Sequence, residues 1–382
     1  MNILIPLLSL TTSLWLVCLW HAIRFLKLGR ISKRQGQELV QPSLPAISII
    51  VACHDQLPQL QKNLPFLLEQ DYPVDFEVIV VDMNSSDDTQ KWLEYMADRY
   101  PHLSHSLCPS SARDISMQRL ALTLGVRSAQ HEWMLFMHPD VTVPGNHWLC
   151  HMASACNEKV DAVQGFVRYS TVRNWKERRQ QFFKLWQQML WMPFTKHHSP
   201  YRADGACLCY RRSIFMAHNG FASNTTLLEG AETLLVNHNI GRGRCGINVS
   251  PKAIVLQPQP EGEQWDIEQT FFMETRRHKR HTTAYRMLYG SAVMTHCLFP
   301  LSAIATGLFL LPYWWAMTIL ASLWACLHAI RLISFYYTTH RLGIKSYFFS
   351  LPLLLNLIPL WDLKAWMRWK HTDKRTFRKK FI

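Results

Sequence analysis

Two long stretches without a charged side chain, one towards each end, decide what this chain can fold into. Residues 1–23 read MNILIPLLSLTTSLWLVCLWHAI, and no charge interrupts the sequence between Arg286 and Arg331. A helix needs about 20 apolar residues to cross the hydrocarbon layer of a bilayer. Residues 1–24 are therefore read as one span, and residues 288–331 as two spans joined by a turn near Pro312. Arg24, Lys27, Arg30, Lys33 and Arg34 follow the first run at once, which assigns that side to the cytoplasm. No basic segment precedes the run and no small-x-small site follows it, so it does not read as a cleaved signal. The expectation is a multi-pass protein of the cell (inner) membrane with its middle part cytoplasmic.

A third apolar run, residues 346–361, contains Pro352, Asn356 and Pro359 and is short for a span. Two spans already return the chain to the cytoplasm, and the tail carries Lys364, Arg368, Lys370, Lys374, Arg375, Arg378, Lys379 and Lys380. Residues 332–382 are thus expected to be a re-entrant or interfacial segment with a basic cytoplasmic tail on anionic lipid. Lysine and arginine number 41 against 27 acidic residues, a formal charge of +14. Because much of that excess flanks the apolar runs, including a juxtamembrane segment at 271–287, its partners are membrane lipids and not nucleic acid. The ten cysteines show no CxxC pair; Cys207 and Cys209 alternate as strand residues do, and no structural disulfide is expected in a reducing compartment.

Between a basic linker at 25–45, punctuated by Pro42 and Pro45, and the juxtamembrane segment lies one domain, residues 46–270. Residues 47–52 and 76–82 are β-branched runs of buried-strand type, and residues 133–137 form a third. Leucines 57, 60, 64, 67 and 68 have helical spacing, with Pro65 expected to kink or restart that helix. Further helices are expected after Asn84–Asp88 and from Asp114 to Ala129. Strands alternating with helices give a mostly parallel sheet covered on both faces, whose ligands bind outside the carboxyl ends of the strands. Three polar clusters stand at those ends: Cys53-His54-Asp55, Asp82 with its Asn-Ser-Ser loop, and His138-Pro139-Asp140. The segment FFKLWQQMLWMPF, residues 182–194, is apolar at helical spacing, and membrane contact and core packing are both open to it.

These clusters belong to a longer series. ISIIVACHD, LLEQDYPVDFEVIVVDMNSSDDT, RLALTLGVRSA, HPDVTVPGNHWL, DGACLCYRRSIFMAHNGF, EGAETLL and ETRRH follow one another through residues 46–280. In that order the series resembles the family 2 glycosyltransferases of membrane-anchored, bacterial type. The resemblance implies a GT-A fold, a Rossmann-like α/β sheet, and a hexosyltransferase-like enzyme that takes a nucleotide-sugar donor. It further implies inversion, a divalent metal (Mn2+ or Mg2+), and a lipid-linked or otherwise membrane-held acceptor in polysaccharide or glycolipid synthesis.

By resemblance, Ala52, His54, Asp55, Asp82, Arg119 and His138 bind the donor nucleotide, and Asp140, last of the Asp-x-Asp triplet, meets the metal. A carboxylate suits magnesium or manganese, which take few protein ligands beside substrate phosphates. Glu232 is the catalytic base, with Glu229 as the fallback, because an acceptor hydroxyl must lose its proton as it attacks. Gly205, Ala206, Glu274, Arg277 and His278 take the acceptor or diphosphate side. The segment at Glu274 lacks both the Gln and the Trp of Gln-x-x-Arg-Trp, which with the few spans implies single additions, not processive synthesis. Met83, His138 and Ala231 replace family acids, so a glycosyltransferase-like protein that binds nucleotide-sugar or a partner without turnover stands as the alternative.

Overall fold

A computed structural model describes residues 4–37, 43–109, 116–170, 172–221, 227–344, 347 and 349–378. Pro42, Asp114, Ser346, Lys379 and Lys380, invoked above, lie outside the described residues. The chain opens with one long helix, α1 (Leu4–Gln37), and the domain begins at β1 (Ile47–Cys53). Then follow α2 (Leu57–Leu68), β2 (Phe76–Asp82), α3 (Thr89–Arg99), β3 (Leu103–Leu107), α4 (Met117–Ser128) and β4 (Trp133–Met137). The second half adds α5 (Trp148–Ala153), β5 (Ala162–Gly165), β6 (Val167–Tyr169), α6 (Trp175–Thr195), β7 (Leu208–Arg211) and α7 (Arg212–Ala217). It closes with α8 (Ala231–Asn239), β8 (Cys245–Asn248), β9 (Val255–Gln257) and α9 (Gln264–Thr275). Three more helices complete the chain: α10 (Thr283–Leu310), α11 (Trp314–Arg341) and α12 (Leu351–His371).

The main sheet has the order β3-β2-β1-β4-β7-β5-β8. β3, β2, β1 and β4 run parallel, and β7 is the reversed strand between β4 and β5. Successive residues of β1 face opposite sides, as a strand demands. Ile49 and Val51 pack with Leu60, Leu64 and Leu67 of α2, whereas Ile50 packs with Leu122 and Val126 of α4. That two-sided cover explains why the strands read as unbroken apolar runs. Helix α2 runs through Pro65 and does not restart there. A proline forfeits one backbone bond, and the buried Leu60, Leu64, Leu67 and Leu68 hold the helix through that loss.

α1, α10 and α11 are each long and apolar enough to cross a membrane. The expected end of α1 at residue 24 is displaced: the helix continues through the basic stretch to Gln37. The reason is packing, since Leu28 and Ser32 are fully buried and the Phe25 carbonyl accepts a hydrogen bond from Thr338 Oγ1 (2.8 Å) on α11. At its far end Gln35 brackets β8, donating to the Ile247 carbonyl (2.9 Å) and accepting from the Val249 amide (2.8 Å). Helix α6 settles its two readings in favour of core. Phe182, Phe183, Trp186 and Trp191 are buried in one cluster with residues of α1, α10, α11 and α12. Most of the third apolar run is the first half of α12, which is pinned to the domain by Lys364 and Arg368 on Asp266 (3.1 and 3.0 Å).

Candidate active site

In this sheet the chain winds outward from β1 through β2 to β3, then returns to place β4 on the other side of β1. Strand order reverses there, which opens a crevice at the carboxyl ends of the strands. Cys53 pairs with Asp82 and Val51 with Met137, so the three polar clusters stand at that one edge. The loops after β1 and β2 are tied together. The Asp55 amide donates to Ser85 Oγ (2.9 Å), Ser85 Oγ donates to Asp82 Oδ1 (2.5 Å), and the Ser85 amide donates to the same oxygen (3.0 Å). Asp55 Oδ1 accepts from the Ser86 amide (2.6 Å) and hydroxyl (3.0 Å). The Ser86 amide bond, more than any other contact, holds the Asp55 carboxyl below its usual pKa. Asp55 and Asn84 adopt positive φ (49° and 59°), strain of the kind that collects at ligand sites.

Asp82 is buried, and its Oδ2 has no hydrogen-bond partner among the described residues. Asp140 repeats the pattern. Gln257 Nε2 approaches its Oδ2 at 3.4 Å, while its Oδ1 is buried without a partner. A buried carboxylate oxygen without a donor is costly, so each of these two atoms fits a ligand group: a nucleoside hydroxyl or base at Asp82, a cation at Asp140. The loop holding Asp140 is itself fixed, since Asn63 Nδ2 donates to the Pro139 carbonyl (3.0 Å) and Thr142 bridges to Leu256. No cluster of three or more His, Cys, Asp and Glu side chains suited to a metal occurs among the described residues. A metal here would rest on Asp140, with His138 two residues earlier, and complete its shell from phosphate oxygens.

Across the crevice, Glu232 lies in the first turn of α8 and Glu229 just before it. The helix starts at Ala231, after Gly230 in a left-handed conformation (φ 81°). Thr233 Oγ1 donates to the Ala203 carbonyl (2.8 Å), fastening α8 to the segment that carries Gly205. Glu232 is only 7% exposed. A Cβ built on Gly205 would stand 2.6 Å from Glu232 Cδ, so the carboxylate rests directly on the glycine. Gly205→Ala is therefore expected to displace Glu232 with the fold retained, and to slow by about 10²-fold any reaction that needs that carboxylate in place. Rate and thermal midpoint measured on the same preparation check it.

The side chain of Glu229 is exposed, yet enclosure by protein first, then the charge of Glu232, push its pKa up to about 7. Arg119 is 1% exposed, and the charges of Glu232 and Glu229 both reach it. Burial lowers its pKa against their pull.

The crevice holds further residues that the sequence did not single out: Asp204, Lys184, Arg202, Gln257 and Glu268. Lys184 Nζ sits 3.5 Å from Asp204 and 2.8 Å from Gln257 Oε1. Burial works to raise the Asp204 pKa, but Lys184, then His138 and Arg202, outweigh it and hold the carboxyl down. Burial raises Glu268, against Lys184. His138 acts on Asp204, Glu229 and Glu268 alike, which places it among the acids. One signal was available: Lys184 is a lone charge inside the apolar FFKLWQQMLW.

The remaining expected residues divide. Ala52 is half-buried, His54 is exposed 3.6 Å from Asp55, and Ala206 is buried with its amide on Asp204 Oδ1 (3.2 Å). Glu274, Arg277 and His278 form a group of their own at the end of α9. Glu274 accepts from Trp369 Nε1 on α12 (2.8 Å) and stands 3.8 Å from Arg277 and 3.4 Å from His278. Besides these contacts, the His278 carbonyl lies 2.7 Å from His238 Nε2 of α8.

Residues 48–218 match the family described as glycosyl transferase family 2. Among solved structures, the chain is similar to the mannosyltransferase PcManGT from Pyrobaculum calidifontis in complex with GDP-Man and Mn2+. Identity is 17%, the alignment covers 97% of this chain and 98% of that one, and the TM-score is 0.55. S. aureus TarS 1-349 in complex with UDP-GlcNAc also aligns, at 16% identity over 78% of this chain and 92% of that one, with a TM-score of 0.43. No curated protein matches the chain. The matched segment contains the strand ends that bear Asp55, Asp82 and Asp140, and the chain carries a family 2 glycosyltransferase domain in a GT-A fold.

Proposed function

We propose that the protein transfers one hexosyl unit from a nucleoside diphosphate sugar to a lipid-linked acceptor held in the membrane, with inversion and without processive elongation. The observation that carries this reading is the pairing of orphaned carboxylate oxygens on Asp82 and Asp140 with a second acidic pair, Glu229 and Glu232, on α8. The first pair is suited to a donor, the second to an acceptor proton.

In this reading Asp82, Asp55 and His54 hold the nucleoside, and His138 contacts the ribose. Asp140 holds Mn2+ or Mg2+, which supplies positive charge to a departing diphosphate. Its use is supported by the oxygen left without a donor and by the similar mannosyltransferase, whose solved complex contains Mn2+. Lys184 and Arg202 add positive charge on the side of Asp204 and Glu268. Glu232 takes the acceptor hydroxyl's proton, backed by Arg119 and seated on Gly205; Glu229 is its coupled partner. A base on the face opposite the leaving diphosphate produces inversion. Three candidate spans and the replaced Gln and Trp around Arg277 support single additions. The basic residues after the first span support a cytoplasmic crevice.

The glutamate pair fixes the sign of the pH dependence. A base works when deprotonated, and Glu229 loses its proton at about pH 7. Any part of the transfer rate that needs Glu229 ionised is therefore expected to rise with pH through about 7, and Glu229→Gln to remove that limb. A pH–rate profile of both proteins checks it. The reading as a whole is tested by calorimetry of the detergent-solubilised chain against GDP, UDP and other nucleoside diphosphates, with and without Mn2+. Metal-dependent binding of one nucleotide is the expected result, and binding of none by folded protein would overturn it.

A further inference from the structure

Beyond α12 the chain does not simply trail away. A short 3-10 turn, Lys374–Phe377, is capped by Asp373, whose Oδ1 accepts from the Arg375 amide (3.0 Å). Lys374 Nζ lies 3.7 Å from the centre of the Trp369 ring and donates to the Trp369 carbonyl (2.8 Å), folding the strap back on α12. Trp369 in turn donates to Glu274.

At the end of this strap Phe377 is 1% exposed. It meets Phe271 of α9 edge-on (5.1 Å, 81°) and shares one buried cluster with Leu227 and Leu234. Its carbonyl accepts from the Leu228 amide (3.1 Å), and Leu227 pairs with Arg378 in an isolated antiparallel bridge. Leu228 immediately precedes Glu229, and Leu234 lies on the same helix as Glu232. A plug at the C-terminal end of the described chain is therefore built into both flanks of the turn Glu229-Gly230-Ala231-Glu232.

We propose that Phe377 is a positioning residue for Glu229 and Glu232, clamping the turn that carries them against Arg119 and Gly205. The proposal rests on the reading of these glutamates as the acceptor-activating acids. Without the clamp the turn keeps Thr233 on Ala203, Gln118 on Glu232 (3.5 Å) and Gly230 against Thr275, but loses the cover on its outer flank. Backbone that loses buried contacts opens locally at lower cost, and an opened turn separates Glu229 from Glu232.

The test compares full-length wild type, Phe377→Ala and Phe377→Leu in detergent. Hydrogen exchange at residues 228–234 is expected to quicken about tenfold or more in Phe377→Ala, with the sheet unchanged, and to be largely restored in Phe377→Leu. Carbodiimide labelling of Glu229, which consumes the protonated carboxyl, is expected to shift its pH midpoint from about 7 towards 4.5 in Phe377→Ala. A role confined to general stability would quicken exchange throughout and leave the midpoint in place, and that result overturns the proposal. So does unchanged exchange at 228–234. If Phe377→Ala does not fold, Trp369→Phe, which deletes the donor to Glu274 and loosens the strap, is judged by the same two readouts. Mn2+-dependent GDP or UDP binding by wild type is measured alongside; its absence would remove the transferase reading, whereas its presence with no clamp effect removes this proposal alone.

Discussion

Asp140→Ala is expected to weaken Mn2+-dependent nucleoside diphosphate binding by about 100-fold or more, which is ~2.8 kcal/mol, and to leave sugar transfer near background. The variant removes a crevice carboxylate whose buried Oδ1 has no donor among the described residues, while Gln257 approaches its Oδ2 at 3.4 Å. Because Asp140 Oδ1 lacks a donor, its removal leaves no broken network behind; the loop stays anchored through the Asn63–Pro139 and Thr142–Leu256 contacts. The thermal midpoint should therefore hold or rise in metal-free buffer, while the metal-dependent increment on adding nucleotide disappears. Calorimetry with and without Mn2+ separates the two effects. Tight, metal-independent binding by the variant would assign the metal elsewhere.

Glu232→Gln is expected to behave in the opposite way. Nucleotide binding stays near wild type, because Glu232 stands on α8 and not among the loops that hold the donor. Transfer falls by about 10³-fold, in the range lost when a positioned base is removed. Glutamine keeps the length of the side chain and its seat on Gly205, so a loss of rate reports charge and proton affinity, not shape. The substitution also relieves Glu229 of its acidic neighbour, so the residual rate should show its acid limb below pH 7. Full activity in Glu232→Gln would hand the role of base to Glu229, whose raised pKa already suits it.

Much of this was readable in advance, for identifiable reasons. β1, β2 and β4 announce themselves because a strand covered on both faces has no polar side to interrupt it. β3 does not. Its sequence, LSHSL, is mostly polar, and it forms an edge that only its pairing with β2 makes visible. Asp55, Asp82 and Asp140 were legible because strand ends converge by topology. Lys184, Arg202, Gln257 and Glu268 were not, since each sits in a segment whose own pattern speaks only of local packing. Their meeting depends on α6 and α9 closing over the far side of the sheet. The extension of α1 through its basic stretch was hidden for a related reason: charge at that point marks a membrane boundary, and nothing local says that Leu28 and Ser32 are buried by α11.

The cluster centred on α6 has a mechanical consequence. Trp186 and Phe182 of the crevice-bearing domain pack on Tyr289 of α10 and Phe335 of α11, two helices apolar enough to cross a membrane, so one buried cluster joins the two parts. On the function proposed above, the crevice would ride at a set elevation over the bilayer, and height would become a criterion of selection in its own right. On that reading, an acceptor whose lipid stem lifts its hydroxyl to the level of Glu232 would be served, with the α6 cluster as the ruler.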